Sequence, residues 1–341
     1  MASLLSYQFT MTSLLSLPRE IRDMILQLVL QHERTPPAGC EQELKERVSI
    51  LDVTSEAWDL KKRVRYEPKT VQPTATTLML VNRQLHAEVR ESVARLQGKE
   101  GRRCKVDVLL LDEKELWVTP LRTPACSPVL DQVDADMRMV GVLPDADRDA
   151  PRNIFDRGDG GPPGYVWPYY YALERFLQAG PTGRPASDSG DSVDRHMVVH
   201  RLVLNFITPT PDEQHPLGSH GEKRQCLIAR AIKSGATPAH IRARTKLLRP
   251  EWLAEELVDT LRSLIVGGKD RVSYARLVME RVGVIEAQVD GRHYKEIDVG
   301  ATLRGMKLGC DPSWYKYQEE KKFYEAWRKK VFAARAAAGL N

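Results

Sequence analysis

CKVDVLLLDEKELWVT, residues 104–119, sets Val106, Val108 and Leu110 in alternation with Asp107, Leu109 and Leu111, crosses an acidic turn from Asp112 to Glu115 and returns as Leu116-Trp117-Val118-Thr119. Side chains of a strand point to opposite faces in turn, so the stretch reads as two strands with a short connection. Residues 133–140 repeat the pattern: Val133, Ala135, Met137 and Met139 point one way, and Asp134, Asp136 and Arg138 the other. One face of the sheet is expected to be wet at that strand. Val198 to Ile207 is apolar on both faces and reads as a central strand. Val284 to Val289 and Arg292 to Ile297 flank Asp290-Gly291, a two-residue loop whose turn matches strand twist. That register sets Glu286 opposite Lys295.

Helical periods surround these strands. Pro18 suits an opening turn, and Leu17, Ile21, Met24, Ile25 and Leu28 then recur at three- and four-residue steps as the expected core stripe. Leu26 and Leu30 fall off that stripe, so the helix is either buried on two sides or docks a partner. A second helix is expected from Thr76 to Leu96, with Leu78, Val81, Leu85, Val89, Val93 and Leu96 inward and Asn82, Arg83, Glu88 and Glu91 away from them. Others are expected from Pro168 to Gly180, near Gly221 to Ser234, from Pro250 to Val266 and from Pro312 to Ala338, the last docking through Tyr315, Phe323, Trp327 and Val331. Residues 144–164 read as a polar Gly/Pro loop, and 181–195 lack core-forming residues and read as a disordered surface loop. The fold class is α+β: N-terminal helices, then a mixed or antiparallel sheet covered mainly on one face by helices, closed by a charged helix. Two regions are expected: 1–97, helical with a long insertion at 32–75, and the α+β body 98–341.

Among 341 residues, 51 Lys+Arg against 46 Asp+Glu leave a net charge of +5, too small across so many charges to demand a polyanionic partner. Cys40, Cys104, Cys126, Cys226 and Cys310 are odd in number and show no CxxC spacing, so reduced thiols and an intracellular location, cytoplasmic or nuclear, are expected. The first twenty residues do not read as a signal peptide and no apolar run is long enough to span a bilayer, so no membrane partner is expected.

Leu14-Leu15-Ser16-Leu17-Pro18-Arg19-Glu20-Ile21-Arg22 and the helix after it resemble the opening of an F-box: an apolar pair, Leu-Pro-x-Glu-Ile/Leu, then a helix. Leu80-Val81-Asn82-Arg83-Gln84-Leu85-His86-Ala87-Glu88 looks like the helix that closes that module. The layout resembles the F-box-like proteins abundant in filamentous fungi. The resemblance implies that Leu17, Pro18, Ile21, Ile25, Leu26 and Leu30 bind the small acidic adaptor of cullin-RING ubiquitin ligases, with a protein substrate held by the body. A protein-protein interaction module is thus the leading expectation. The alternative is an intracellular hydrolase or transferase with a site near the 144–164 loop.

No signature of chemistry stands out. Gly158 to Gly164 has Pro163 where a GxGxxG loop needs glycine, and neither Gly-Lys pair is a Walker A. His196 and His200 begin a strand, where four residues span about 13 Å, and HExxH is broken by Met197. His215 and His220 flank a Pro-Gly loop and read as solvated. Asp107, Asp134 and Asp136 read as a solvated strand face rather than an acid-base pair. Catalytic, cofactor and metal residues are therefore none, and no enzyme is expected. The aromatics Tyr165, Trp167, Tyr169, Tyr170, Tyr171 and Phe176, near Arg152, Arg157 and Arg175, read as core rather than a stacking platform. In the C-terminal helix Glu319, Glu320 and Glu325 interleave with the cations, so i,i+4 pairs such as Glu325 with Lys329 and no nucleic-acid partner are expected.

Overall fold

A computed structural model describes residues 13–38, 45–49, 63–68, 74–97, 102–112, 115–123, 128–141, 166–183, 196–209, 233–235, 249–266, 272–307 and 317–340. The chain divides into two compact units: residues 1–33 with 72–101, and residues 34–71 with 102–341. Residues 34–71 thus interrupt the helical unit in sequence and cluster with the larger unit. Its strand β1 (Val64–Tyr66) pairs in parallel with β3 (Glu115–Arg122), and Val48 bridges to Tyr66, so 34–71 supplies an edge of the larger unit.

In the smaller unit a 3-10 turn, Leu14–Ser16, precedes α1 (Arg19–Leu30). The expected second helix is two: α2 (Thr74–Met79) and α3 (Arg83–Gln97). Asn82 explains the break. Its Oδ1 accepts the Leu85 amide at 2.9 Å, a side-chain cap that satisfies one of the orphan donors of a helix start. Asn82→Ala is expected to destabilise α3 by about 1 kcal/mol. Faster hydrogen exchange confined to the first turn of α3 would register it; unchanged protection there would refute it.

The larger unit is an α+β body on a seven-stranded mixed sheet in the order β1-β3-β2-β4-β5-β6-β7. The remaining strands are β2 (Arg103–Leu111), β4 (Val129–Val140), β5 (Val198–Phe206), β6 (Val282–Val289) and β7 (Arg292–Asp298). Antiparallel pairs β2–β3 and β6–β7 are the two hairpins, as read from sequence. Parallel pairs β4–β5 and β5–β6 need crossovers. Helix α4 (Val166–Ala179) lies between the first pair, and α5 (Pro250–Val266) and α6 (Val272–Arg281) between the second. These, with α7 (Val299–Gly305) and α8 (Tyr317–Ala337), enclose one apolar core on one sheet face. Helices α6 and α7 are short and were not anticipated.

Tyr169, Tyr170, Tyr171 and Phe176 are buried in that core, as expected. Helix α4 ends at Gly180, and three residues on Gly183 adopts φ of 65°, its carbonyl accepting Arg175 Nε at 2.5 Å. A Cβ at Gly183 would sit 2.3 Å from the Tyr66 ring, so both its conformation and its closeness require glycine. On α8 the docking residues are Tyr324, Trp327, Val331 and Arg335; Phe323 is 55% exposed, not inward as expected, and Tyr315 lies outside the described residues.

The hairpin register also departs from expectation. A bulge between Ala287 and Gln288 shifts the pairing, so Glu286 faces Glu296 and Lys295 faces Ala287. Two carboxylates opposite each other repel, and Arg201 of β5 resolves this by reaching Glu286 at 2.5 Å and Glu296 at 3.1 Å. Lys295 is turned instead to α5, where it meets Glu255 at 2.6 Å and Asp259 at 3.2 Å. No described helix is long and apolar enough to cross a membrane. The 144–164 loop, all but the first residues of 181–195 and nearly all of the helix expected at 221–234 lie outside the described residues.

Candidate functional site: the α1 surface and the polar sheet face

Helix α1 is organised by a charge rather than by its apolar stripe. Arg22 sends Nε to Glu88 Oε2 at 3.0 Å and Nη2 to Glu88 Oε1 at 2.6 Å, the parallel fork that a carboxylate accepts best. Its Nη1 donates to the carbonyls of Leu17 and, at 3.4 Å, Leu15, fastening the turn before the helix. Gln84 Nε2 adds a third donor to Glu88 at 3.0 Å. Arg19 links Asp23 at 2.9 Å and Glu91 at 2.7 Å around the rim. These donors, Arg22 foremost, hold the Glu88 carboxyl well below its ordinary range, at about 2. The residues of the two sequence motifs thus meet: Leu-Pro-Arg-Glu-Ile-Arg contributes the guanidinium, and Asn-Arg-Gln-Leu-His-Ala-Glu contributes the cap, the amide and the carboxylate.

This clamp decides which side of α1 is buried. Arg22 and Leu26, one turn apart, face inward, and Leu26 is 1% exposed. Ile21, Met24 and Leu28, expected in the core, are 43%, 61% and 70% exposed. Of the two readings of Leu26, buried on a second side or docking a partner, the structure has it buried. Of the six partner-binding candidates, Leu26 is buried, Leu17, Ile25 and Leu30 are half-buried, and Pro18 and Ile21 are exposed. Sequence reasoning missed Met24 and Leu28 as surface. It also placed Glu88 on the wet side, although it is 2% exposed. Leu80 and Val81, in the turn between α2 and α3, are exposed as well.

The sheet face away from the helices carries the other candidates. Asp107, on β2, stands opposite Asp136 on β4 and Thr119 on β3, and Asp136 opposite Asn205 on β5. The register does bring two aspartates together. Asp107 is fully buried and held by both nitrogens of Arg138's fork, Nη2 to Oδ2 at 2.9 Å, while Arg138 also donates to the Pro37 carbonyl at 2.8 Å. Burial raises the Asp107 carboxyl above its usual range against the pull of Arg138. Asp136 accepts Asn205 at 3.1 Å and stands 3.7 Å from Lys105; Asp134 accepts Gln132 at 2.6 Å. Arg47 covers the same face, its guanidinium 4.6 Å above the Trp117 ring and bonded to Thr119 at 2.8 Å. Among the described residues these side chains bond to one another, and Asp107 is fully buried.

His196 Nδ1 lies 3.0 Å from Arg281 Nη2. Among the described residues no group of three or more His, Cys, Asp or Glu is arranged to hold a metal ion. His215, His220, Tyr165, Arg152 and Arg157 lie outside the described residues. Cys104 is buried, which pushes its thiol up to about 12, far from nucleophilic use at neutral pH. No protein-family model, curated protein or solved structure matches this chain.

Proposed function

We propose that the chain is a protein-protein interaction module that docks a partner on α1, in the manner of an F-box-like substrate adaptor for a cullin-RING ubiquitin ligase. The observation that supports this reading is the exposed row Ile21, Met24 and Leu28, at i, i+3 and i+7 on one side of a helix whose other side is pinned by Arg22 and Leu26. That spacing supplies the anchors by which an amphipathic helix seats in an apolar groove. Large apolar side chains clustered in water are otherwise unfavourable, at about 1.5–3 kcal/mol for each left unburied. The exposed flank of α3, with Arg83, His86 and Arg90, complements an acidic partner.

The test is calorimetry of the purified chain with the acidic adaptor. Wild type is expected to bind at micromolar or tighter affinity, and Met24→Asp and Leu28→Asp to abolish binding while circular dichroism and melting temperature stay unchanged. Leu26→Asp should instead unfold α1 and so cannot report on the surface. Failure of a folded wild type to bind, or binding indifferent to both surface variants, would dispose of the proposal.

A further inference from the structure

A second surface lies on α8, remote in sequence from the helix that the proposed docking uses. Its inward side is spent on Tyr324, Trp327, Val331 and Arg335, and its outer side carries Lys321, Lys322, Lys329 and Lys330, all exposed. Among the described residues none of these four lysines enters an ion pair, and Glu325 and Lys329, which the sequence spacing would pair, do not meet. Two hydrogen bonds bring the end of α7 alongside: Tyr324 donates to the Met306 carbonyl and Arg328 to that of Arg304, each at 3.0 Å. Arg304 and Lys307, both exposed, thereby join the same surface. Seven cations (Arg304, Lys307, Lys321, Lys322, Arg328, Lys329, Lys330) stand there against Glu319, Glu320 and Glu325.

The ring of Phe323 is exposed next to Lys322 in sequence and one heptad before Lys330, on the flank of α8 away from Arg328. The stripe Lys322, Ala326, Lys329, Ala333 alternates cations with small side chains, so its lysines stand roughly 10 Å apart with an open floor between them. Free cations, a free aromatic face and low side chains are what a flexible polyanion with stacking bases would use. A bilayer would instead need a broad apolar face, and among the described residues of this helix Phe323 is the one large apolar side chain that is exposed. We infer that the outer face of α8, with the end of α7, binds single-stranded nucleic acid without sequence preference, phosphates on the lysines and a base on Phe323.

Fluorescence anisotropy of the full chain with a labelled 20-nucleotide oligothymidine tests this. Binding is expected to weaken with salt with a logarithmic slope of about −2 to −3, the value for three or four phosphate contacts on a single strand. Lys322→Glu with Lys329→Glu should lower affinity at least tenfold, and Phe323→Ala roughly tenfold with the salt slope unchanged, because stacking releases no counterions. All three positions are exposed, so the variants should keep the wild-type melting temperature. Absence of binding at 50 mM salt, binding indifferent to the double variant, equal affinity for polyglutamate, or preferential binding to phosphatidylserine vesicles would each overturn the inference.

Discussion

Glu88→Ala should cost the helical unit about 3 kcal/mol, read as a loss of hydrogen-exchange protection across α3 and the start of α1 while the sheet amides keep theirs. The carboxylate is 2% exposed and accepts three donors from Arg22 and Gln84, so its removal strands a guanidinium beside apolar Leu26. Breaking a buried pair from one side costs about 3–5 kcal/mol; the lower end applies because Arg22 keeps the Leu17 and Leu15 carbonyls as acceptors. Acidification should reproduce the effect. Glu88 has a folded-state pKa below its unfolded value, so its contribution is complete above the ordinary glutamate range and is lost as pH falls toward about 2. Glu88→Gln should lose that acid dependence. A Glu88→Ala chain with unaltered α3 protection would mean that apolar packing alone holds the two helices.

Strands were legible because their signal is a simple alternation: β4 carries Val133, Ala135, Met137 and Met139 inward without exception, and β2, β3 and the Asp-Gly hairpin stand where the pattern puts them. What alternation does not carry is pairing. The three-residue β1 is too short for a periodic signal, and its partner β3 lies some fifty residues on, so the sequence showed the interruption at 32–75 but not the edge strand within it. The bulge at Ala287/Gln288 likewise leaves no mark in composition, yet it decides that Glu286 faces Glu296 and needs Arg201. Short α6 and α7 were hidden for the opposite reason, being close to strands in length and apolar content.

On α1 the error has one cause. Periodicity counts Arg22 as a surface residue, so it chose the side of the helix without the arginine and took Ile21, Met24 and Leu28 as core. A buried arginine satisfied by a carboxylate inverts that count. The signal that was available is the pairing of chemistry between motifs: one invests an Arg a turn into its helix, the other a Glu six residues after its Asn cap, and both residues prove to be buried together. The exposed row Ile21, Met24 and Leu28 shares only Ile21 with the six residues that the F-box resemblance implied.

Arg335→Ala is the other large loss expected, about 3–4 kcal/mol by denaturant unfolding of the larger unit. Arg335 is 1% exposed, and its Nη1 donates to the carbonyls of Met279 at 2.7 Å and Val282 at 2.8 Å. Those carbonyls belong to the end of α6 and the first residue of β6, where helical bonding stops and acceptors would otherwise be orphaned in the core. The guanidinium therefore caps one helix from another, with its positive charge at the negative end of the α6 dipole. Burial works against the cation and lowers its affinity for the proton, so the arginine is not free stabilisation. Alanine would leave two buried acceptors unsatisfied, at about 1–3 kcal/mol each, and a void beneath Val331; the relieved desolvation offsets part of that sum. Methionine fills the void without restoring the donors, so Arg335→Met should recover no more than half of the loss. If Arg335→Met equals wild type, the carbonyls are satisfied without Arg335 and α8 is held by its apolar side chains alone.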